Sequence, residues 1–553
     1  MKRMLLAFLS MTIGICSSAE GVSGLQFDAS RGVAGSLTLP WGEVVKYTAY
    51  MNLYYVTNVE DSTYQYMNIY VPEGATQTSP IFMPNGVGGY MASPPSRMDA
   101  GAASGRALAE GCVVALPGAR GRNSTITQGG ETFYTGRAPK GLLDLKAAVR
   151  FLRHFDKEML GDAEKIITNG TSAGGAMSSL LGSSGNNPAY ESYLKEMGAA
   201  DERDDVFASV CFCPIVDLDH ADMAYEWLYG CTNGKNRTIS EAQQTVSEEL
   251  AALFPDYLAS LSLKKADGTL LTEENYLDYV KGFLIASAQE AKDAGADIPD
   301  SIGFKFSNGQ MFEAPVNGGP GMAGGPDVGR QGMKERPEGM VPGGPEGMPE
   351  RPEGMPERPE GMAPGGPEGM PGSMGGPEGG RRGGRPGGMP GGMGGQGEYI
   401  VDLDMPTYLN YVVSTIALKT PPAFDSQNVA GGKASGENEE FGDETGSSVN
   451  FTNFSLAKAT GKSDAEVDAQ TAELVRIMNP MSMLADEGST VAKHWYIRHG
   501  ARDRDTSFPV PINLATKLEN LGKDVNFKLP WNRPHSGDYA LNELFDWIKE
   551  VTK

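Results

Sequence analysis

The sequence predicts an α/β fold in which a parallel sheet, preceded by antiparallel strands, is interrupted by a long insertion. First, short apolar runs alternate with helical patterns between residues 81 and 216, the rhythm of parallel strands joined by helices. Second, this alternation returns near residue 493. Third, a Gly-x-Ser-x-Gly motif at 170–174 directly follows one predicted strand. We therefore divide the chain into a first core part, an insertion and a second core part, at 20–216, 217–485 and 486–553.

Each predicted element rests on a local pattern. A region rich in Tyr, Val and Thr at 37–71 shows the partial alternation of antiparallel strands. The apolar runs of the parallel sheet lie at 81–83, 112–116, 166–168, 208–212, 495–497 and 525–528. The helical patterns that connect and close this sheet lie at 99–110, 142–155, from 173 onwards, 512–521 and 541–551.

The insertion combines helical and low-complexity sequence. Apolar spacing at 240–253 and 273–294 predicts helices, so part of the insertion is expected to fold as a lid. Residues 315–397 are instead dominated by Gly, Pro, Met and Glu, with a Pro-Glu-Gly-Met unit that recurs from Pro337, Pro345, Pro352, Pro359 and Pro367. Such sequence buries too little apolar surface to offset its ordering entropy, which predicts disorder. An inert loop expansion is favoured over a tether.

The amino terminus has the pattern of a signal peptide (1–19). Two basic residues precede an apolar run at 4–15, and small residues lead to a cleavage position after Ala19. The run is shorter than the ~20 residues that span a bilayer, so export to the periplasm or the medium is favoured over an uncleaved anchor. Cys16 suggests a lipoprotein, but the bulky Ile15 before it argues against one. The mature chain is expected to have no transmembrane segment.

Composition narrows the partners and the chemistry. With 70 acidic against 47 basic residues, the formal charge of −23 repels phosphate backbones, which argues against nucleic acid. The cysteines that remain after cleavage are too few for a disulfide framework, although one bridge involving Cys231 stays open. Asp217, Asp219 and Asp222 lack the glycine turn and distal glutamate of a calcium loop, so neither a metal nor a cofactor is predicted.

A serine motif at the end of a predicted strand carries the chemistry. Gly170-Thr171-Ser172-Ala173-Gly174 follows the run at 166–168 and opens a helical pattern. Glycines around the serine permit the sharp turn that lifts its hydroxyl above the sheet, the nucleophile elbow of α/β-hydrolases. The setting predicts the α/β-hydrolase fold with Ser172 as nucleophile, and covalent catalysis of this kind needs no metal.

The base and the acid are sought in the second core part. In this fold the chain order is serine, acid, histidine, and the histidine lies in a loop after the last strand. Of the 5 histidines, His535 fits, because it lies between the last predicted strand and the closing helix. Asp503 and Asp505 follow the preceding strand, and both qualify as the acid that orients the imidazole. His154 and His494 are predicted to be structural residues. His499 is predicted to pack against the acid or to orient it.

Two backbone amides are expected to receive the negative charge that develops on the substrate. The residue after the nucleophile normally supplies one of them, here Ala173. The glycine-rich loop 85–90, directly after the run at 81–83, is placed to supply the second. Within this loop, Gly88 or Gly89 is expected to supply the second amide, and Gly88 is taken as the predicted residue.

Five segments together resemble a known family. They are 84–91 (PNGVGGYM), 170–175 (GTSAGG), 213–217 (CPIVD), 222–227 (DMAYEW) and 498–506 (RHGARDRDT). Their sequence is similar to that of the bacterial tannases, α/β-hydrolases that split galloyl esters, and of the neighbouring feruloyl esterase group. The resemblance covers the hydrolase core, and the tract at 315–397 departs from the family pattern within the lid.

The resemblance implies roles for individual residues. It makes Asp503 the acid of the triad and Asp505 a ligand of a phenolic hydroxyl on the galloyl ring. It also implies a lid glutamate and a lid lysine that contact the ring hydroxyls, matched here by Glu437 and Lys419. The implied activity is that of an exported serine esterase acting on small aromatic esters through an acyl-enzyme, without a cofactor.

Three alternatives share parts of this interpretation. A feruloyl or acetyl esterase acting on plant polysaccharide would have the same triad and a different pocket. A serine peptidase of the same fold would cleave peptides with no preference for esters. A non-enzymatic surface binder would act through the Pro-Glu-Gly-Met tract and would not depend on Ser172.

Overall fold

The structure is a computed structural model, and its described residues are 24–308, 398–414 and 416–553. The predicted signal peptide (1–19) and the predicted disordered tract (315–397) lie outside these residues. None of the described helices is both long enough and apolar enough to cross a membrane.

The centre of the described part is one mixed sheet of 9 strands in the order β1-β2-β3-β5-β4-β8-β9-β12-β13. The first three strands pair antiparallel, and β3 pairs antiparallel with β5. Within this sheet the neighbouring strands β5-β4-β8-β9-β12-β13 all pair in parallel, as the sequence predicts. The described strands are β1 (Val33–Thr38), β2 (Val44–Tyr54), β3 (Tyr66–Pro72), β4 (Pro80–Pro84), β5 (Val113–Pro117), β6 (Thr125–Gln128), β7 (Glu131–Tyr134), β8 (Asp162–Thr171), β9 (Ala208–Phe212), β10 (Phe304–Asn308), β11 (Glu398–Leu403), β12 (His494–Arg498) and β13 (Asp524–Lys528).

Helices follow the strands and make up much of the described part of the insertion. Two of them, α3 and α13, directly follow the turns that carry the predicted nucleophile and acid. The described helices are α1 (Ala103–Ala109), α2 (Lys140–His154), α3 (Ala173–Ser183), α4 (Glu191–Glu196), α5 (Leu218–Tyr229), α6 (Glu241–Leu261), α7 (Glu273–Asp293), α8 (Met405–Val412), α9 (Gly436–Glu440), α10 (Asn453–Thr460), α11 (Ala469–Ile477), α12 (Pro480–Ala485), α13 (Pro509–Asn520) and α14 (Leu541–Val551).

The central parallel strands of the sheet are buried on both faces, because helices cover each of them. Successive side chains of a strand point to opposite faces, and the neighbours Ile166 and Ile167 of β8 belong to different apolar clusters. The first cluster contains side chains of α2, α3 and α13, and the second contains side chains of α1 and α14. Both isoleucines are fully buried, so truncating either to alanine is expected to cost about 2–5 kcal/mol.

The insertion is built on capped helices that pack against the first cluster. Ser240 caps α6 with a capping box, which satisfies amides that have no partner inside the helix. The helix runs beyond the predicted end at residue 253 and through Pro255 to Leu261. Burial of Phe254 and Leu258 outweighs the backbone hydrogen bond that the proline lacks.

The predicted low-complexity tract is flanked by a strand pair that sequence reasoning missed. β10 and β11 pair antiparallel, with Asn308 opposite Glu398. The chain therefore leaves and re-enters the described part at neighbouring positions. The described cysteines are all free, and of these only Cys231, which the sequence left open as a disulfide partner, is exposed.

Candidate active site

The predicted functional residues lie at one edge of the sheet, where the parallel strands end. Backbone pairing continues one residue past the strand ends: Ser172 N–H donates to the Phe212 carbonyl (2.9 Å), and Cys213 N–H donates to the Arg498 carbonyl (2.6 Å). These bonds hold the loops after β8, β9 and β12 in one row. The carboxyl edge of parallel strands is where α/β proteins place their ligands.

Ser172 has the backbone geometry of a strained turn between β8 and α3. Its φ of 61° and ψ of −124° are unfavourable for a residue with a side chain, and such strain costs about 1–3 kcal/mol. A Cβ at Gly170 would lie 2.1 Å from the Gly174 carbonyl oxygen, so only glycine fits there. The Ser172 carbonyl accepts hydrogen bonds from the amides of Ala176 (3.0 Å) and Ile215 (3.2 Å). The hydroxyl does not cap α3, which leaves it for chemistry.

The predicted base and one of the two predicted acids are in direct contact. His535 Nδ1 lies 2.8 Å from Asp503 Oδ2, and the other carboxylate oxygen accepts a hydrogen bond from Asp505 N–H at 2.9 Å. Tyr229 O–H donates to the Asp503 carbonyl at 3.0 Å, which holds the backbone of the acid. The Asp503 side chain is fully buried, whereas the His535 side chain keeps 22% of its surface exposed. The acid is therefore shielded while the imidazole still faces outward.

Charges around the pair shift both pKa values. Burial alone would raise the pKa of Asp503, but His499, a hydrogen bond from His535 and the Cys213 thiol lower it to about 2. Burial alone would lower the pKa of His535, but the Asp503 hydrogen bond and the carboxylates of Asp503 and Asp505 raise it above its usual value. The aspartate is thus ionised at neutral pH, and it favours the cation that forms when His535 takes a proton.

The loop that carries His535 packs directly against the nucleophile turn. A Cβ at Gly537 would lie 1.7 Å from the Thr171 hydroxyl oxygen, so this glycine touches the residue before Ser172. The Cys213 thiol donates to the Ser536 carbonyl at 3.3 Å. These two contacts bring the predicted nucleophile and the predicted base to the same point of the sheet edge.

The glycine-rich loop after β4 is tied to the amino end of α3. The Asn85 side-chain amide donates to the Gly174 carbonyl at 3.0 Å. Gly88 and Gly89 both border open space, since a Cβ at either would meet no atom within 4 Å, and Gly89 has a φ of 55°. Ala173 begins α3, so its N–H belongs to the first-turn amides that have no partner inside the helix. The structure therefore brings the glycine-rich loop to the end of α3 that carries partial positive charge.

The two predicted lid residues lie near different parts of the site. Lys419 Nζ lies 3.9 Å from the centre of the Phe424 ring. The pKa of His535 is lowered by burial of its ring and, to a smaller extent, by the Lys419 ammonium. Glu437 lies in the short helix α9. Burial raises the pKa of Tyr90 well above its usual value, and the nearby Glu437 carboxylate raises it further. One lid charge therefore lies near the base and the other near the glycine-rich loop.

Arg122 connects α9 to that loop. It pairs with Glu439 of α9, and its Nε donates to the Gly89 carbonyl at 2.8 Å. Sequence reasoning did not single out Arg122, because its two partners lie far apart in the chain. Its contacts fix Glu437 relative to the predicted oxyanion donors.

Two buried aspartates hold the lid backbone. Asp222 of α5 accepts hydrogen bonds from the amides of Phe424 (2.8 Å) and Asp425 (2.9 Å). Asp425 in turn accepts bonds from the Asn438 side chain (2.7 Å) and the Thr452 amide (2.8 Å). The sequence pattern weighs Asp222 as a calcium ligand and does not predict this backbone contact. Its place in the family-like segment 222–227 was the available signal.

Three other aspartates that the sequence analysis named have partners of their own. Asp505 pairs with Arg504, and its Oδ2 lies 3.8 Å from His535 Nδ1, so it borders the site without replacing Asp503 as the partner of the imidazole. Asp217 and Asp219 both accept hydrogen bonds from the Asn479 side chain, at 2.8 Å and 2.7 Å. The two carboxylates are therefore bound to a side chain of the protein itself.

Comparisons with known proteins give a consistent picture. Residues 67–256 match the BD-FAE family model. The solved structure of Fusobacterium nucleatum tannase is 33% identical with a TM-score of 0.71, and the match covers 96% of this chain and 99% of that chain. Tannase from Lactobacillus plantarum is 32% identical with a TM-score of 0.71, covering 95% and 99%.

A further solved structure, a tannin acyl hydrolase in complex with ethyl gallate, is 34% identical with a TM-score of 0.71, covering 95% of this chain and 98% of that chain. Comparison with curated protein sequences finds no match.

Proposed function

The chain belongs to the bacterial tannase family and is an ester hydrolase with the α/β-hydrolase fold, and from this we propose that it hydrolyses galloyl-type aromatic esters with Ser172, His535 and Asp503. The observation that carries the proposal is the 2.8 Å contact between His535 Nδ1 and Asp503 Oδ2. This contact lies beside a serine on a strained turn. A serine, an imidazole and a buried carboxylate in this order are the parts of an acyl-transfer site.

In the proposed mechanism, Ser172 Oγ attacks the ester carbonyl while His535 Nε2 takes its proton. The Nδ1–H of the same ring stays hydrogen-bonded to Asp503, which stabilises the imidazolium. The amides of Ala173 and Gly88 donate to the oxygen that becomes negatively charged. His535 then gives the proton to the departing alcohol, and an acyl-enzyme remains. Water, deprotonated by His535, attacks this ester and releases the acid.

The proposed specificity comes from three polar side chains around the site. Asp505 and Glu437 would accept hydrogen bonds from phenolic hydroxyls, and Lys419 would donate to one. A site built to pair with hydroxyl groups discriminates strongly against a substrate that lacks them, because its own polar groups are left without partners. The solved relative with ethyl gallate bound supports an aromatic polyhydroxy acid as the acyl group. Export, inferred from residues 1–19, suits an enzyme of plant polyphenols.

Turnover of three esters by the wild-type protein and by Ser172→Ala tests the proposal. Methyl gallate is expected to have the highest kcat/KM, methyl ferulate a lower one and a simple acetyl ester the lowest, and Ser172→Ala should lose all three activities. Equal turnover of the three esters would favour the broad esterase. Cleavage of peptides without ester preference would favour the peptidase.

A further inference from the structure

A second histidine lies against the proposed catalytic acid. His499 is fully buried, and among the described residues neither of its ring nitrogens has a partner at standard hydrogen-bond geometry. Its Nδ1 is 3.4 Å from Asp503 Oδ2, the same oxygen that His535 Nδ1 contacts at 2.8 Å. Buried polar groups are nearly always hydrogen-bonded, so an imidazole in this state calls for an explanation.

The turn after β12 holds this histidine opposite the aspartate. Asp503 N–H donates to the Gly500 carbonyl at 2.9 Å, which closes a tight turn between the two side chains. A Cβ at Gly500 would lie 2.2 Å from the Arg533 carbonyl oxygen, so the turn is pressed against the loop that carries His535. On its other side the His499 ring meets Phe508 edge to face, with centroids 5.7 Å apart. The ring is thus confined beside the carboxylate.

We propose that His499 is a positioning residue for the proposed triad, a second imidazole donor that shares the Asp503 carboxylate with His535. This inference rests on the proposed function. The groups that face Asp503 are His499, His535, the Cys213 thiol and the Asp505 amide. Those that face His535 are Asp503, Asp505 and Lys419. Among them, His499 is a buried donor whose removal leaves the direct contacts of His535 in place.

The expected effect follows from competition for one oxygen. Burial lowers the pKa of His499 and so favours its neutral form, which can donate an N–H without adding a full charge. A second donor draws on the charge of Asp503 Oδ2 and weakens the bond from His535 to that oxygen. Without it, the carboxylate would stabilise the His535 cation more strongly, and the pKa of His535 would rise. The activity would then begin to fall at a higher pH.

Two substitutions with side chains of nearly equal size distinguish a hydrogen-bond donor at position 499 from a side chain that only fills space. His499→Asn keeps an N–H near the position of Nδ1, and His499→Leu does not. The readout is the pH dependence of labelling by a serine-directed phosphonate, which requires the triad and no particular ester. In His499→Leu we expect the acid limb to move up by about half a pH unit, which makes labelling about threefold slower below the limb. In His499→Asn the limb should stay at the wild-type position.

The same strand offers a matched control. His494 begins β12 and contacts Asp524 at the far end of the sheet, with Nδ1 and Oδ2 2.6 Å apart. His494→Leu therefore removes a buried histidine and its aspartate contact without touching the site, and its acid limb should equal the wild-type limb. If His499→Leu does not accumulate as folded protein, His499→Phe, which can keep a ring against Phe508, replaces it.

Three outcomes are distinguished. A limb that shifts in His499→Leu and is restored in His499→Asn supports the inference. Equal limbs in both variants, whether shifted or not, overturn it and leave the proposed function standing, provided that the wild-type protein is labelled at Ser172. Absence of labelling at Ser172 in the wild type would overturn both.

Discussion

Two histidine–aspartate pairs stand at opposite ends of the same two strands. His494 and Asp524 are the first residues of β12 and β13, and their side chains are 2.6 Å apart. Asp503 and His535 follow the other ends of these strands and are 2.8 Å apart. By hydrogen-bond length alone, the two pairs are equivalent.

Their surroundings differ. The pair at the carboxyl end of the strands has a fully buried carboxylate, whereas Asp524 keeps 33% of its side chain exposed. Only the carboxyl-end pair lies beside the strained Ser172, the first amide of α3 and the charges of the lid. A histidine bonded to an aspartate is therefore not a site in itself. The pair can take part in catalysis only at the carboxyl ends of the parallel strands, where the loops that carry the other functional residues meet.

Removing the nucleophile should have the largest effect on this comparison. Without Ser172 the carboxyl-end pair is expected to be as inert as the other one, so Ser172→Ala should lower kcat for methyl gallate by about 10⁶-fold. Steady-state assays at neutral pH measure this, with circular dichroism to verify folding. A variant that keeps a tenth of the wild-type rate would contradict the assignment.

Neutralising each aspartate in turn compares the two pairs directly. Asp503→Asn should lower kcat by about 10⁴-fold, because it loses the charge that holds the imidazole tautomer and stabilises its cation. Asp524→Asn should leave kcat within a factor of two. Similar losses in the two variants would mean that the pairs are not functionally different.

The lid charges should matter only for substrates with phenolic hydroxyls. Glu437→Gln and Lys419→Met are each expected to lower kcat/KM for methyl gallate by about 10- to 100-fold, the value of one hydrogen bond to a charged group. Methyl benzoate, which lacks hydroxyls, serves as the matched substrate and should be turned over at an unchanged rate at a pH well above the pKa of His535, where the effect of Lys419 on that pKa no longer changes the rate. Equal losses on both esters would place these residues in the fold of the lid instead of its specificity.

The pH profile should report the pKa of the carboxyl-end histidine. Catalysis needs neutral His535, and its pKa is raised above the usual 6.5 by Asp503 and Asp505 against the opposing effect of burial. The rate should therefore be constant at higher pH and fall as pH decreases through a midpoint above 6.5. A midpoint below that value would show that the carboxylates do not control the base.

The smallest effect is expected at the far end of the sheet. His494→Asn should leave kcat/KM for methyl gallate unchanged and lower the free energy of unfolding by about 1 kcal/mol, since one hydrogen bond is weakened. Chemical denaturation together with the same ester assay measures both quantities. A loss of activity without a loss of stability would show that the two ends of the sheet communicate.

Much of the fold was predictable because it depends on local pattern. Strands buried on both faces appear as short apolar runs, and the glycines around Ser172 mark a turn that few other residues can form. The interruption of the alternation predicts an insertion, and in the described residues α5 to α12 and the pair β10–β11 lie between β9 and β12 of the sheet. His535 could be selected because few histidines were available and chain order in this fold is restrictive.

What sequence reasoning missed depends on contacts between distant segments. Asp222 holds the backbone at Phe424, and Arg122 joins Glu439 to Gly89; nothing in the local sequence around any of these residues indicates its partner. The residue pattern likewise left open which of Asp503 and Asp505 is the acid of the triad, because both follow the same strand and are only two residues apart. The turn through Gly500 decides which carboxylate points at the imidazole.

Labelling with a serine-directed phosphonate, followed by mapping of the modified peptide by mass spectrometry, tests the central claim most directly. We expect one adduct, on Ser172, formed at least about 100-fold more slowly in His535→Asn, because the general base is lost, and at the wild-type rate in His494→Asn. An adduct on another serine, or a labelling rate that does not depend on His535, would contradict the assignment of the carboxyl-end pair.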